Sequence, residues 1–335
     1  MKWLEQAWYR DEPGWLGLAA PLEHLFRRLA QRRRQRLQPE AWQAPVPVLV
    51  VGNISLGGTG KTPLTQALVR WLQAQGWRVG IVSRGYGGQG PFPLWVTAQT
   101  QAMAAGDEPC LLARSLKCPL VVSPQRVEAV KLLLAQAEVD IIVADDGLQH
   151  YRLGRQLEIA VIDGARGLGN GHCLPVGPLR EPAQRLAEVD FCVVNGPLAK
   201  PLPIAVPYWS MQLQPGELQS VGGQERQPLA ALQGQSVYAM AGIGHPQRFF
   251  ATLEAAGLKP IPLAKPDHYA YQPHDLQPYQ DLPLLMTSKD AVKCQAFAPA
   301  NAWYLPVEAQ LPAEFWQALQ QRLATVLKVD EVNHG

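Results

Sequence analysis

From Val46 onward, short apolar runs alternate with segments whose apolar residues recur at helical spacing. The runs have the length of buried strands, and the spaced pattern is that of helices with one apolar face. Strands are predicted over Val46–Val51, Val79–Ser83, Leu120–Ser123, Ile141–Ala144, Leu157–Ile162 and Phe191–Val194, with helices over Pro63–Gln75 and Arg126–Ala137. This alternation predicts an α/β fold, a parallel sheet with helices on both faces.

A stretch rich in proline, glycine and glutamine interrupts the alternation between Pro201 and Gln235. The pattern then resumes with predicted strands Val237–Ala241, Pro260–Leu263, Leu284–Thr287 and Trp303–Val307 and helices Gln247–Ala256 and Ala313–Leu327. We therefore predict a first domain over residues 41–200, a connector with β-like pieces over 201–235, and a smaller α/β domain over 236–335.

The first forty residues carry a separate helical pattern. Apolar residues recur at three- and four-residue steps at Trp15, Leu18, Leu22, Leu25, Phe26 and Leu29. Six arginines and no acid follow between Arg27 and Arg36, although the whole chain has a net charge of only +2. The pattern fits a helix in a membrane interface with its arginines on lipid phosphates. It fits equally a helix packed on the domain with a solvated basic end.

Composition narrows the class of protein. Apolar residues make up 47% and charged residues 17%, which indicates a folded globular chain rather than a disordered one. The small net charge argues against nucleic acid as a partner, and no apolar run reaches the roughly 18 to 20 residues of a membrane span. The five cysteines lack C-x-x-C spacing, which argues against zinc and disulfides and favours a reducing cytoplasm.

The most specific chemical signal is the segment GNISLGGTGKTP, residues 52–63, between a predicted strand and a predicted helix. Its glycines allow successive backbone N–H groups to point at phosphate oxygens, and the helix adds its positive end. Lys61 is expected to reach the β- and γ-phosphates, and Thr62 to ligate Mg²⁺. The predicted nucleotide-binding residues are Ser55, Leu56, Gly57, Gly58, Thr59, Gly60, Lys61 and Thr62. Ser55 replaces the first glycine of G-x-x-x-x-G-K-[ST], a departure that the strand-turn-helix context offsets.

A second acidic segment follows the strand predicted over Ile141–Ala144. Asp145 and Asp146 stand at its carboxyl end, which in phosphate-loop folds lies beside the loop. Either carboxylate is suited to hold Mg²⁺ or its waters. The alternative is an ordinary strand-terminal turn rich in Asp and Gly.

Two absent motifs argue against known classes of nucleotide switch, and the second absence also favours ATP as the nucleotide. Partition-type ATPases carry a lysine where this chain has Leu56, and guanine-specific switches carry N-K-x-D or T-K-x-D, to which Thr287–Asp290 has the wrong spacing. A phosphate loop alone fits both a kinase and an ATP-dependent switch or chaperone that binds a partner protein.

Taken together, the motifs resemble the tetraacyldisaccharide 4'-kinase family over nearly the whole chain. The resemblance rests on Gly52-Asn53 with Gly57–Pro63, Ser83–Gly87 (SRGYG), Gly106–Pro109 (GDEP), Asp145–His150 (DDGLQH), Pro175–Pro182 (PVGPLREP), Asp267-His268 and Lys289–Lys293 (KDAVK). Seven motifs in a fixed order form a highly specific pattern.

The resemblance implies an enzyme that uses ATP and Mg²⁺ to phosphorylate the 4'-hydroxyl of an acylated glucosamine disaccharide 1-phosphate in lipid A biosynthesis. It implies Asp107 as catalytic base and His268 as its partner, and Lys61 of the phosphate loop is the third predicted catalytic residue. Without it, Asp107 is most simply interpreted as a helix cap and His268 as a loop histidine.

Further roles follow from the same resemblance. Glu181 is expected to assist the metal, with loop solvation as the alternative for it and for Arg180. Arg84 and Tyr86, just beyond a predicted strand end, and Arg126, at the start of a predicted helix, are expected from their positions to contact substrate. The other expected substrate contacts are Asn53, Gln149, His150 and Arg180. A lipid acceptor also implies peripheral binding of the N-terminal helix to the cytoplasmic face of the inner membrane. No obligate protein partner is inferred.

Overall fold

The computed structural model describes residues 2–334, with side chains over residues 3–326. The helices are α1 (Lys2–Trp8), α2 (Ala20–Leu37), α3 (Lys61–Ala74), α4 (Ala102–Ala105), α5 (Asp107–Ser115), α6 (Arg126–Gln136), α7 (Pro246–Ala255), α8 (Pro273–Leu276), α9 (Ser288–Cys294) and α10 (Ala313–His334). Three 3₁₀ segments cover Gly14–Ala19, Ala183–Glu188 and Leu229–Leu232. The strands are β1 (Val48–Gly52), β2 (Val79–Ser83), β3 (Leu94–Trp95), β4 (Leu120–Val122), β5 (Ile141–Asp145), β6 (Leu157–Asp163), β7 (Phe191–Asn195), β8 (Trp209–Pro215), β9 (Leu218–Ser220), β10 (Arg226–Gln227), β11 (Ser236–Ala241), β12 (Lys259–Ala264), β13 (Leu284–Thr287), β14 (Ala302–Leu305) and β15 (Val307–Gln310).

The chain forms two compact units. The first contains Met1–Arg84, Ser123–Gln212 and Ala309–Gly335, and the second contains Gly85–Val122 and Leu213–Glu308. This grouping differs from the predicted domains because residues 85–122 pack with the second unit and α10 packs on the first. Sequence periodicity identifies a helix or strand but does not specify its tertiary partner.

The first unit is built on parallel strands in the order β8-β7-β6-β1-β5-β2. Every residue of β1 and β5 is buried, as expected for central strands covered on both faces. Helix α10 packs on this sheet through Phe315, whose ring lies edge-on to Phe191 and Trp209 at 5.6 and 5.9 Å. The predicted parallel α/β fold is confirmed.

The second unit has a sheet of its own in the order β10-β9-β14-β13-β11-β12. Strands β12, β11, β13 and β14 run parallel, and β9 and β10 add antiparallel edge strands. Helix α7 packs on β11 and β12, α9 on β13 and β14, and α5 on α9. The carboxyl ends of β11 and β13 are therefore adjacent, close to the start of α9.

The N-terminal helices expose their apolar residues. Trp15, Leu18, Leu22, Leu25 and Leu29 are all more than half exposed. The opposite face of α2 is attached by a polar contact, in which buried Glu23 accepts hydrogen bonds from the Cys173 N–H at 2.8 Å and faces His172 Nδ1 at 2.9 Å. Across the described residues, none of the helices has the length and apolar character needed to cross a membrane.

We expect Leu68→Ala in α3 to lower the free energy of unfolding by about 2–5 kcal/mol, because Leu68 is 0% exposed and its removal leaves a cavity. Leu18→Ala is the matched control, since Leu18 is 87% exposed. Its effect should stay within about 0.5 kcal/mol. Urea denaturation followed by circular dichroism measures both, and equal losses would contradict the assigned core.

Candidate active site

The phosphate loop, residues 53–60, joins β1 to α3. Gly57 and Gly60 have φ values of +103° and +97°, in the left-handed region that glycine enters without steric cost. Gly60 caps the N-terminus of α3, and the space beside Gly58 is open. Exposed backbone at the positive end of a helix suits this loop to bind an anion.

Asn195, the last residue of β7, holds the loop from the side. Its Nδ2 donates to the Thr59 carbonyl at 3.1 Å, and a Cβ on Gly60 would lie only 2.6 Å from the same nitrogen. Sequence analysis did not identify Asn195. The only available signal was its place directly after the predicted strand Phe191–Val194.

The segment 175–182 runs against the other side of the loop. The Leu56 N–H donates to the Pro178 carbonyl at 2.9 Å, and the Arg180 N–H donates to the Ile54 carbonyl at 2.7 Å. The N–H of Leu56 is thus engaged within the protein in this conformation. Its predicted contact with nucleotide stays a prediction.

Lys61, Asp146 and Arg180 form the charged centre of the first unit. Asp146 Oδ1 lies 3.5 Å from both Lys61 Nζ and Arg180 Nη1. Burial raises the pKa of the Asp146 carboxyl, but the positive charges of Lys61, Arg180 and Arg126 outweigh burial and the pKa is lowered overall. Asp146 is therefore an anion at neutral pH.

Asp145 and Thr62 supply further oxygen atoms at the same edge of the sheet. Asp145 is 1% exposed and accepts a hydrogen bond from Thr65 Oγ1 at 3.0 Å, while Thr62 is buried in the first turn of α3. Within residues 3–326 no three His, Cys, Asp or Glu side chains lie together in a metal-binding group. A hydroxyl and one or two carboxylates nonetheless fit Mg²⁺, which keeps several water or phosphate ligands.

Gln149 and Asn53 line the loop that follows Asp146. Gln149 Nε2 donates to the Asn53 carbonyl at 3.0 Å, and its Oε1 lies 3.4 Å from Arg180 Nη1. Asn53 is 0% exposed, which makes it part of the framework of the phosphate loop. Gln149 is partly exposed beside the cationic centre.

Arg126 lies beneath the acidic segment. It is 2% exposed, and its guanidinium donates to the Ser123 and Asp145 carbonyls at 2.8 and 3.2 Å. Burial lowers the pKa of Arg126 to about 10. In this conformation the side chain supports the backbone of the acidic turn, so its burial argues against the predicted contact with substrate.

His150 is held neutral by its surroundings. Its Nε2 accepts a hydrogen bond from the Arg126 N–H at 3.1 Å. Burial lowers its pKa to about 3, assisted by the charges of Arg126, Arg155, Arg33 and Arg84. Arg33 and Arg84 are exposed, so their positive charges are accessible from solvent near this histidine.

Glu181 is engaged within the protein. One carboxylate oxygen accepts from Tyr151 Oη, and the other lies 3.5 Å from Arg185 Nε. A carboxylate that is 7% exposed and paired in this way acts as a structural anchor of segment 175–182. The predicted metal role of Glu181 remains untested and finds no support in these contacts.

In the second unit, Asp107 and His268 are in direct contact. His268 Nδ1 lies 3.1 Å from Asp107 Oδ2, although 160 residues separate them in the chain. The side chain of Asp107 is 14% exposed, while that of His268 is 44% exposed. The hydrogen bond to Asp107 raises the pKa of His268, partly opposed by burial and by the charge of Lys289. Asp107 Oδ2 therefore faces an imidazole that is readily protonated.

The backbone at Gly106 helps to position the surroundings of the Asp107–His268 pair. Gly106, not Asp107, is the N-cap of α5, so the alternative of Asp107 as a helix cap is wrong. A Cβ on Gly106 would lie 2.3 Å from the Tyr86 carbonyl oxygen, and its φ is +93°. The exposed Tyr86 ring lies 5.6 Å from the His268 ring. Only glycine permits this close approach, which holds Tyr86 beside the pair.

The model of the family described as Tetraacyldisaccharide-1-P 4'-kinase matches residues 15–324. The chain belongs to this family. It is thus a kinase, as the sequence motifs indicated. The match spans both units, including the residues that bring Asp107 to His268.

Related kinases are similar over nearly their full length. The chain is 50% identical to "Tetraacyldisaccharide 4'-kinase" of Azotobacter vinelandii over 97% of each chain. It is 49% identical to the protein of that name from Pseudomonas aeruginosa, over 96% of this chain and 97% of the other. A crystal structure of LpxK from Aquifex aeolicus in complex with ATP matches with a TM-score of 0.81 at 28% identity, covering 93% of this kinase and 99% of that protein.

We expect the His268 pKa to lie above 6.5 in this kinase and to fall in Asp107→Asn, because the carboxylate that stabilises the imidazolium is lost. Stability from the pair is then fully present below pH 6.5 and disappears as pH rises through the elevated pKa. Long-range ¹H–¹⁵N NMR of the histidine ring measures this pKa, with exposed His274 as the control. An unchanged His268 pKa in the variant would contradict the pairing.

Proposed function

We propose that this kinase transfers the γ-phosphate of ATP to the 4'-hydroxyl of a tetraacyldisaccharide 1-phosphate in lipid A biosynthesis, with the assistance of Mg²⁺. The observation that carries the proposal is the glycine loop with Lys61 and Asp146 at the end of the central strands. The names of its close relatives and the ATP-bound structure of the Aquifex aeolicus protein support the choice of acceptor and nucleotide.

In this proposal the loop backbone from Gly57 to Gly60 cradles the phosphates and Lys61 contacts the β- and γ-phosphates. Thr62 and Asp145 or Asp146 are the residues suited to hold Mg²⁺. The ion, when bound, neutralises charge on the phosphate oxygens. Arg180 supplies a second cation beside Asp146 and is assigned to phosphate.

Asp107 is the proposed base. Its Oδ2 is occupied by His268, so we assign Oδ1 to the acceptor hydroxyl. As the acceptor oxygen bonds to the γ-phosphorus, the bond from phosphorus to the β–γ bridging oxygen breaks, ADP leaves, and the hydroxyl proton passes to Asp107. In a loose phosphoryl transfer this proton moves late, so a weak base such as a carboxylate is sufficient to accept it. His268 holds the carboxylate in one orientation.

The acceptor is proposed to lie along α2. A pocket of about 340 Å³ in the first unit has apolar walls from Phe26, Leu29 and Ala30, and its polar side includes Arg33 and Arg180. Apolar surface next to fixed cations suits an amphiphile with an anionic head group. Arg84 and Arg33 are exposed, and the positive charges of both act on His150. These cations are suited to recognition of the 1-phosphate.

Peripheral binding to the cytoplasmic face of the inner membrane completes the proposal. The exposed leucines of α2 and the arginines that follow are the two features of an interfacial helix. Arg34 pairs with Glu188, but Arg27, Arg28, Arg32, Arg33 and Arg36 are exposed and available to anionic lipid. An enzyme with a membrane-embedded acceptor needs such a surface.

The function is tested directly by incubating the kinase with labelled ATP and the tetraacylated disaccharide 1-phosphate in detergent. Transfer of label to lipid is the expected result. We expect Asp107→Ala to lower kcat roughly 10²- to 10⁴-fold, with ATP affinity nearly unchanged, because it removes a base and no nucleotide contact. Asp281→Ala is a control carboxylate in the same unit, hydrogen-bonded to Tyr238. Free phosphate without labelled lipid would instead favour an ATP-dependent switch or chaperone, and lost ATP binding in Asp107→Ala would make Asp107 structural.

Membrane binding is tested by Leu22→Ser with Leu25→Ser in one chain. Removing two exposed leucines costs about 3 kcal/mol of interfacial burial, or roughly 100-fold in partitioning to vesicles with anionic lipid. Tyr208→Ser is the control, because Tyr208 is similarly exposed but lies outside the N-terminal helices. Co-sedimentation with vesicles measures both, and equal partitioning of the two variants would argue against α2 as the membrane surface.

A further inference from the structure

Lys293, in α9 of the second unit, carries a nearly buried ammonium group between two carboxylates. Its side chain is 8% exposed, and Nζ lies 3.0 Å from Asp290 Oδ1 and 3.8 Å from Asp107 Oδ2. Burying a charge is costly unless it is paired. The position of Lys293 therefore requires an explanation in terms of one carboxylate or both.

Asp290 forms a fixed base for the lysine. It is 0% exposed, and its Oδ2 accepts from Thr287 Oγ1 at 2.6 Å and from the Gly242 N–H at 3.0 Å. Thr287 ends β13 and Gly242 follows β11, so one carboxylate ties the ends of two adjacent strands. The Tyr271 ring covers the ammonium at 5.1 Å. Lys293 consequently has little freedom to move away from Asp107.

The contact is made on the same oxygen that faces His268. Oδ2 of Asp107 lies 3.1 Å from His268 Nδ1 and 3.8 Å from Lys293 Nζ. Two cationic or hydrogen-bonding groups on one carboxylate oxygen hold the plane of the carboxylate and direct Oδ1 away from them. Without Lys293, this orientation would depend on a single contact from an exposed loop histidine.

We propose that Lys293 is a positioning residue for Asp107, which fixes the carboxylate so that Oδ1 is presented to the acceptor hydroxyl. The inference rests on the proposed function, in which Asp107 is the base. The competing explanation is that Lys293 serves only to neutralise buried Asp290. The two explanations differ in what happens when both charges of that ion pair are removed.

Lys293→Met alone leaves Asp290 buried without its cation and is expected to destabilise the second unit. The informative variant is therefore Lys293→Met with Asp290→Asn, which removes both charges and keeps an oxygen acceptor for Thr287 and Gly242. We expect this paired variant to fold, as judged by thermal melting, and to turn over roughly 10- to 100-fold more slowly with KM for ATP within about twofold of the wild type.

A double-mutant cycle with Asp107→Asn completes the test. If Lys293 acts through Asp107, adding the paired substitution to Asp107→Asn lowers the residual turnover by less than about twofold. Asp290→Asn alone is the control for the loss of the carboxylate. Lys259→Met is the control for loss of a lysine charge in the same unit, since Lys259 is exposed at the amino end of β12.

Three outcomes overturn the proposal. Wild-type turnover in the folded paired variant would assign Lys293 to Asp290 alone. Independent, multiplicative losses in the cycle, or equal losses in Lys259→Met, would mean that Lys293 does not act through Asp107. Asp107→Asn with wild-type turnover would instead remove Asp107 as the base, so failure of the proposed function is recognised separately from failure of the lysine's role.

Discussion

Parallel pairing of β1 with β5 determines most of what surrounds the phosphate loop. Val51 is paired with Asp145, so the last residues of both strands arrive at the same edge of the sheet. Every residue of these strands is buried, and a one-residue shift in register would move a full set of apolar side chains out of the core. The core therefore specifies, without any ligand, that the glycine loop after β1 lies next to the acidic turn after β5. The positions of the loop and the acidic turn at that edge therefore depend on how the two strands pack in the core.

Much of this arrangement was predictable because its determinants are local. The strand Ile141–Ala144 and the glycine turn of residues 57–60 can each be identified from a short window of sequence. The structure has a strand over Ile141–Asp145 and places the glycines between β1 and α3. Asp107 and His268 are different: neither stands in a pattern that distinguishes a base from a helix cap, and their contact joins distant segments. Only resemblance to a family suggested them. Arg126 and Glu181 show the converse limit. Sequence identified Arg126 by its place at a helix start and Glu181 by its motif, but it did not reveal that both side chains are buried and bonded within the protein.

The two units use charge in different ways. In the first, Lys61 and Arg180 converge on Asp146, and the cations outnumber the carboxylate that holds them, as suits a site for a polyanion. In the second, Asp107 is the partly exposed end of a chain of charges that continues through Lys293 to Asp290, which is hydrogen-bonded to the ends of two strands. Each charge in this chain has a partner, because the two carboxylates share one ammonium group. The same physical rule, that a buried charge needs a partner, accounts for the cations around Asp146 in one unit and for the two carboxylates around Lys293 in the other.

The backbone bonds between segment 175–182 and the phosphate loop have a mechanical consequence. Backbone hydrogen bonds join Ile54 to Arg180 and Leu56 to Pro178, as in a short two-stranded ladder. The backbone that carries the Arg180 side chain is therefore coupled to the glycine turn. Any deformation that displaces Arg180 must therefore also pull on the turn, and a change in chain length within that segment would disturb both at once. Loops ordinarily tolerate insertions, but a segment hydrogen-bonded to the phosphate loop in this way is expected to tolerate them poorly.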